Sequence, residues 1–165
     1  MIDNNKKQTK PEFVLISACN GVDCIRDTDN TYELIDKLRY NEFSFKQVTG
    51  CYNNIKELSF YVTIGDGSWS RETDLKKLLE YAKLYNQESI LYVDSDRQAK
   101  LIFTTGETIN IGTFKQVPKA FALQHIAYTH DLEHNGYYIT TKTPTAFNQP
   151  LAPVAKNGEK LATVQ

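Results

Sequence analysis

Two short segments of the sequence carry residue types that could hold a polar ligand. Residues 17–21 read SACNG and residues 49–52 read TGCY, and both are associated with apolar runs. Hydroxyl groups and backbone amides at the ends of strands suit a polar ligand, because the strands hold the loops in place. Ordinary turn chemistry explains the same residues. Taken alone, these segments leave both interpretations open.

Two carboxylates are candidates for the same site. Glu57 lies shortly after the TGCY segment, and Glu88 lies directly before another apolar run. Glu57 belongs to residues 55–64, in which apolar and polar side chains alternate, and it falls on the polar face. A carboxylate on such a face is ordinarily solvated, but on a covered face it must be paired or matched to a ligand. Glu88 follows Gln87 directly before an apolar run, where it could equally be a helix-end residue.

Standard catalytic signatures are absent from the sequence. It contains no P-loop, no GxGxxG and no GxSxG. A zinc site needs about four converging ligands, and no second cysteine pair follows the first. We therefore expect no metal and no cofactor, and we interpret the cysteines as partly buried thiols and the histidines as surface or strand residues. These residues are Cys19, Cys24 and Cys51, and His125, His130 and His134.

Charge and composition exclude some classes of function. The chain has 165 residues, 41% hydrophobic residues and a formal net charge of -1. A nucleic-acid-binding domain normally shows a basic face, so we expect no nucleic-acid partner. No window approaches the roughly 20 apolar residues that span a bilayer, and no signal peptide is visible. We expect no membrane association and a cytoplasmic location.

The hydrophobic pattern predicts strands and helices that build an α+β domain. The best helix covers residues 71–85, with a second over residues 31–40 capped by Thr28 or Asn30 after a polar loop. The predicted strands are residues 13–18, 43–52, 55–64, 89–93, 98–104, 108–117, 121–128 and 137–141.

The order strand, helix, strand, strand, helix, strand predicts the split βαβ, or ferredoxin-like, α/β sandwich with extra C-terminal strands. Two helices cover only one face of its antiparallel sheet. We therefore expect a symmetric oligomer to cover the other face, with a site between subunits. The predicted organisation is a flexible arm over residues 1–11, a single domain over residues 12–141 and a flexible tail over residues 142–165.

Four segments, in order, resemble the phage S-adenosylmethionine hydrolase family. They are VLISA at residues 14–18, TGCY at residues 49–52, Gln87-Glu88 before ILYV, and GTFKQVPK at residues 112–119. The resemblance covers about residues 13–140. One departure is that the family has an acid within two residues of its tyrosine, whereas here the first acid after Tyr52 is Glu57.

The resemblance implies a phage-encoded, PII-like homotrimer with S-adenosylmethionine held in clefts between subunits. It implies cleavage to 5′-methylthioadenosine and either homoserine lactone, by a lyase, or homoserine, by a hydrolase. The host would thereby lose S-adenosylmethionine, which counters restriction–modification. The positions carried over are Glu57 and Tyr52 as catalytic residues, and Ser17, Ala18, Thr49, Gly50, Cys51, Gln87, Glu88, Phe114, Gln116 and Val117 as substrate-binding residues.

The lyase is the favoured route, since no His–carboxylate pair for activating water lies near these motifs. In it the substrate carboxylate attacks its own γ-carbon, and Glu57 orients the substrate. In the hydrolase, Glu57 would be the general base. Two alternatives remain: a PII-like module that binds an adenine nucleotide without turnover, and a phage protein that binds a host protein. The near-neutral charge disfavours an acidic DNA mimic.

Overall fold

The computed structural model describes residues 10–142 of the chain. Most of the predicted arm, residues 1–9, and the predicted tail beyond residue 142 lie outside the described residues. None of the helices within residues 10–142 is both long and apolar enough to cross a membrane.

The described residues form eight strands and three helices. The strands are β1 (Glu12–Ile16), β2 (Phe45–Tyr52), β3 (Ile55–Ile64), β4 (Ser89–Val93), β5 (Gln98–Phe103), β6 (Thr108–Val117), β7 (Ala127–Asp131) and β8 (Gly136–Thr140). The helices are α1 (Cys24–Tyr40), α2 (Arg71–Leu84) and α3 (Lys119–Ala122). The predicted α+β class and antiparallel pairing are confirmed.

Helix α1 begins at Cys24, seven residues before the predicted start at Thr31. Its cap is Asp23, whose side chain accepts hydrogen bonds from the backbone N–H groups of Ile25 and Arg26. The capped first turns are mostly exposed, and their one large apolar side chain, Ile25, is 72% exposed, so they carry no buried apolar stripe. The prediction of a loop over residues 23–30 with a cap at Thr28 or Asn30 was wrong for that reason.

Residues 121–128 do not form one strand, contrary to the prediction. The chain enters the short helix α3 directly after Pro118, which occupies the N-cap, and β7 starts only at Ala127. Proline has no backbone N–H for a ladder hydrogen bond and suits the start of a helix. Buried Ala122 packs in a cluster with residues of β6, β7 and β8.

The eight strands close into an antiparallel barrel in the order β1-β3-β2-β7-β8-β6-β5-β4. Its first half, β4-β1-β3-β2 with α1 and α2 in the connections, follows the split βαβ order. The second half continues from β2 through β7 and meets β4 through β5. The ferredoxin-like, PII-like sandwich is therefore not confirmed as the architecture of the whole domain, because the sheet is closed.

The alternation of side chains separates two further buried clusters from each other, besides the one that contains Ala122. Outward residues such as Val14, Phe60 and Ile90 pack in one cluster with Leu34 of α1 and Leu78 of α2. Inward residues form a second cluster inside the barrel: Phe13, Val93, Ala99, Ile111 and Phe114, with Leu15, Tyr61, Leu91 and Leu101 packed against it. The sheet face expected to need another subunit is thus enclosed by strands of the same chain. That correction removes the original reason for an oligomer.

Candidate functional site

A cavity of about 580 Å³ lies inside the barrel. Its volume falls within the range of about 300–1,000 Å³ that is usual for small-molecule sites. The exposed residues Gly21, Val22, Asn53 and Glu88 line it at one end of the barrel and mark its mouth. Most of its remaining lining is apolar or aromatic.

The cavity brings together most of the site residues proposed from the sequence. Eight of the twelve line it: Ser17, Gly50, Cys51, Tyr52, Glu57, Gln87, Glu88 and Phe114. Four do not: Ala18, Thr49, Gln116 and Val117. Ala18 is fully buried in the cluster beneath the helices, and Val117 packs in the cluster with Ala122 of α3.

The hairpin of β2 and β3 places Glu57 and Tyr52 on the inner face of the barrel. Asn53 and Asn54 form its two-residue turn with positive φ angles of 51° and 66°. Asparagine tolerates this conformation, and such turns match the twist of the paired strands. The turn pairs Tyr52 with Ile55 and Gly50 with Glu57. Because side chains alternate along a strand, a one-residue slip would turn Glu57 to the outside.

Gly50 keeps the wall beside Glu57 open. A Cβ at this position would lie 3.2 Å from Ser59 Oγ and 3.8 Å from the carbonyl oxygen of Glu57. Such a Cβ would crowd the inner face, so glycine leaves space for a ligand next to the carboxylate.

Tyr52 carries a buried hydroxyl that has no hydrogen-bond partner within the described structure. A buried unpaired polar atom costs stability and calls for an explanation. Burial also raises the pKa of Tyr52 above its ordinary value, so the hydroxyl is neutral and can donate. A polar ligand in the cavity would satisfy it.

Polar contacts hold the first loop at the mouth. Gln87 Nε2 donates to the carbonyl oxygen of Cys19 at 2.7 Å and to Asn20 Oδ1 at 3.2 Å. The Asp27 carboxylate accepts the N–H groups of Asn20 and Gly21, each at 2.8 Å. Gln87 therefore fixes the loop, a role that sequence reasoning did not assign to it.

Ser17 is similarly engaged by the protein. Its hydroxyl donates to the carbonyl oxygen of Leu58 at 2.8 Å and accepts the N–H of Cys19 at 3.0 Å. The side chain thus ties the end of β1 to β3.

Sequence reasoning missed the contribution of β7 and β8. The inward-facing residues Thr129, Tyr138 and Thr140 line the cavity, and Tyr138 stacks on Phe114 with ring centroids 5.1 Å apart. The misplaced strand over residues 121–128 concealed the pairing of β7 with β2. The alternation in residues 136–140 was the available signal.

The three histidines lie outside the cavity lining. Among the described residues, one group could hold a metal ion by its spacing: Asp131, Glu133 and His134. Lys46 Nζ lies 2.7 Å from Asp131 Oδ2, so an ammonium group already pairs with the buried carboxylate.

Comparison with known proteins gives one family. The model of the S-Adenosylmethionine lyase family matches residues 14–141, which run from β1 to just beyond β8. No curated protein matches the chain.

Proposed function

The chain belongs to the S-adenosylmethionine lyase family, and on that premise we propose that it cleaves S-adenosylmethionine to 5′-methylthioadenosine and homoserine lactone inside its barrel. The observation that carries this proposal is the largely apolar cavity of about 580 Å³ with Glu57 and the unpartnered Tyr52 hydroxyl in its lining. Small-molecule sites are typically concave and mostly apolar, with a few polar groups that orient the ligand, and this cavity has that character.

The chemistry balances without a base or a second reactant. A substrate carboxylate oxygen forms a bond to the γ-carbon while the bond from that carbon to sulfur breaks. The electron pair of the broken bond stays on sulfur, which becomes a neutral thioether. No proton is transferred.

An apolar cavity favours this step because charge disappears during it. The attacking carboxylate and the sulfonium carry opposite charges that neutralise each other in the transition state. Water stabilises the separated charges more than the transition state, so replacing it with an apolar lining lowers the barrier. Holding the methionine chain folded adds a proximity effect, which reaches about 7–11 kcal/mol in favourable cases.

Glu57 and Tyr52 are the orienting groups in this proposal. The Glu57 carboxylate binds the substrate amine or its ribose hydroxyls, and the Tyr52 hydroxyl donates to the substrate carboxylate. Glu88, exposed at the mouth, is the second candidate for the carboxylate role. Gln87 acts indirectly, through the loop that it fixes.

The hydrolase is the second candidate, favoured by the location of Glu57 inside the cavity, where it could activate water. Turnover in ¹⁸O-labelled water separates the two routes. Direct attack of water on the γ-carbon places the label in the homoserine hydroxyl. A lactone formed first and opened at its carbonyl places it in the carboxyl group.

We expect early lactone and label in the carboxyl group alone. Label in the hydroxyl would overturn the lyase and support the hydrolase. Absence of methylthioadenosine from any incubation with S-adenosylmethionine would overturn both.

We also propose that the protein forms a homotrimer, because the family resemblance implies one. Val22 and Ile55 line the mouth of the cavity and are 63% and 61% exposed. Large apolar side chains at a ligand site suit cover by another subunit. Light scattering tests this: a monomer at micromolar concentration would contradict it.

The biological role that we propose is depletion of S-adenosylmethionine in the cytoplasm of a phage-infected host, which counters restriction–modification. It follows from the activity and the resemblance. Measuring the S-adenosylmethionine pool of cells that express the chain tests it. An unchanged pool, with active protein present, would reject the role.

A further inference from the structure

Two aromatic rings form part of the cavity wall on β8 and β6, which follow β7 after the β2–β3 hairpin in the strand order. Phe114 of β6 and Tyr138 of β8 stack with ring centroids 5.1 Å apart and planes inclined by 6°. Phe114 is 9% exposed, whereas Tyr138 is half-buried, and both line the cavity.

The protein holds the Tyr138 ring in a fixed position. Phe13 packs edge-on against Phe114, with centroids 5.2 Å apart, and supports the pair. A Cβ at Gly136 would lie 3.1 Å from Tyr138 Cε2 and 3.2 Å from its hydroxyl oxygen, so glycine admits the ring there. These contacts restrict the orientation of the Tyr138 ring in the cavity wall.

The register places this ring on the same rung of the sheet as Glu57. Glu57 pairs with Gly50, Gly50 with Thr129, and Thr129 with Tyr138. The two intervening residues have no side chain or a short one. A ligand held by Glu57 therefore has open wall between itself and Tyr138.

Resting on the proposed function, we infer that the face of Tyr138 that is not stacked on Phe114 is the contact that recognises the positive charge of the substrate sulfonium. A sulfonium bears three carbon substituents and no hydrogen on sulfur, so it cannot donate an N–H or O–H hydrogen bond. Its charge can be met by a carboxylate, by carbonyl or hydroxyl oxygens, or by an aromatic face, and aromatic faces attract such cations. Of the two carboxylates among the described lining residues, Glu57 is assigned to the amine or ribose, and Glu88 lies exposed at the mouth.

An aromatic contact also suits the direction of the reaction. The sulfonium loses its charge as the carbon–sulfur bond breaks, so the ring binds substrate more strongly than either transition state or product. Interactions that are stronger in the ground state improve binding without raising kcat. The ring therefore selects the cationic substrate and weakens retention of the neutral thioether product.

The test compares two ligands that differ in charge at sulfur. S-adenosylmethionine is the cation, and S-adenosylhomocysteine is its neutral thioether analogue. For Tyr138→Leu we expect KM for S-adenosylmethionine to rise roughly tenfold, with the inhibition constant of S-adenosylhomocysteine nearly unchanged and kcat not lowered. Tyr138→Phe is the matched control, because it keeps the ring face and should keep the selectivity.

A second series guards against a folding defect. Phenylalanine carrying zero to three ring fluorines at position 138 keeps the shape of the ring. Each fluorine reduces the negative electrostatic potential over the ring face. We expect selectivity for the cation to fall stepwise with each fluorine. The inference would be overturned if selectivity for the cation did not change with fluorination. It would also be overturned if Tyr138→Leu weakened the binding of both ligands equally.

Binding calorimetry with both ligands separates this inference from the proposed function. If the wild type binds the cation selectively through Tyr138 but releases no methylthioadenosine, the lyase fails and the charge-selective contact stands. If turnover is normal and the fluorinated series keeps full selectivity, the lyase stands and the contact fails.

Discussion

Glu57 owes its position to local sequence that can be read directly. Alternation over β3 assigned it to a polar face, and the turn at Asn53 and Asn54 sets that face inward. What the sequence could not reveal is that this face lines a cavity within one chain, since that depends on strands far away in sequence.

Glu57→Gln keeps the size of the side chain and removes its charge. We expect the rate of methylthioadenosine formation to fall about a hundredfold or more, because orientation or base catalysis by a carboxylate requires the charge. The matched control is Glu107→Gln, a change at an exposed residue between β5 and β6, which should leave turnover unchanged. Near wild-type turnover in Glu57→Gln would move the role to Glu88.

The loop between β1 and α1 shows how an element positions the mouth of the cavity. Asp27 lies in the first turn of α1 and accepts two backbone N–H groups of the loop. The helix was predicted to begin too late, so Asp27 was read as part of a polar loop. Its role became visible only once the cap at Asp23 was known, because capping residues carry no hydrophobic pattern.

Asp27→Asn replaces one of the two acceptor oxygens with an amide that donates. We expect KM to rise about three- to tenfold with kcat little changed, because hydrogen bonds to a charged group contribute about 1.5–3 kcal/mol and here one of two is lost at a partly exposed site. Steady-state kinetics checks this. Asp29→Asn removes the same charge from the exposed side of the same helix and should have no effect. An equal rise of KM in both variants would contradict the proposal that Asp27 holds the loop at the mouth.

At the scale of the whole molecule, the sheet closes where its two halves meet. The strand order of β1 to β4 was predictable from alternation and the order of elements. The closure of the sheet was not predictable, because it depends on the pairing of β2 with β7 and of β4 with β5. Lys46 of β2 and Asp131 of β7 add an ion pair of 2.7 Å across the first of these seams.

Burial opposes ionisation of Asp131, but the hydrogen bond from Lys46, the contact with His134 and the charge of Lys46 outweigh it. The pKa of Asp131 is therefore below its ordinary value. A lowered folded-state pKa means that this stabilisation is present at neutral pH and is lost as pH falls below about 4.

We expect Asp131→Asn to lower the free energy of unfolding by about 2 kcal/mol at pH 7. The difference from wild type should shrink as pH falls below about 4 and vanish once pH is below the lowered folded-state pKa of Asp131, because both proteins then carry a neutral group. Urea unfolding across this pH range measures it. Glu133→Gln is the control, since its exposed side chain lies 3.9 Å from Lys46 and should contribute little. A constant difference across pH would contradict the ion-pair explanation.

Closure also decides how the protein behaves in a crowded solution. Each of the eight strands has two hydrogen-bonded neighbours, so the described barrel exposes no unpaired strand edge along its circumference. Free edges are the templates on which chains add to one another as aggregates. An open sheet of the same strands would have needed charges or prolines at two borders, whereas the barrel resists edge-to-edge aggregation by its topology alone.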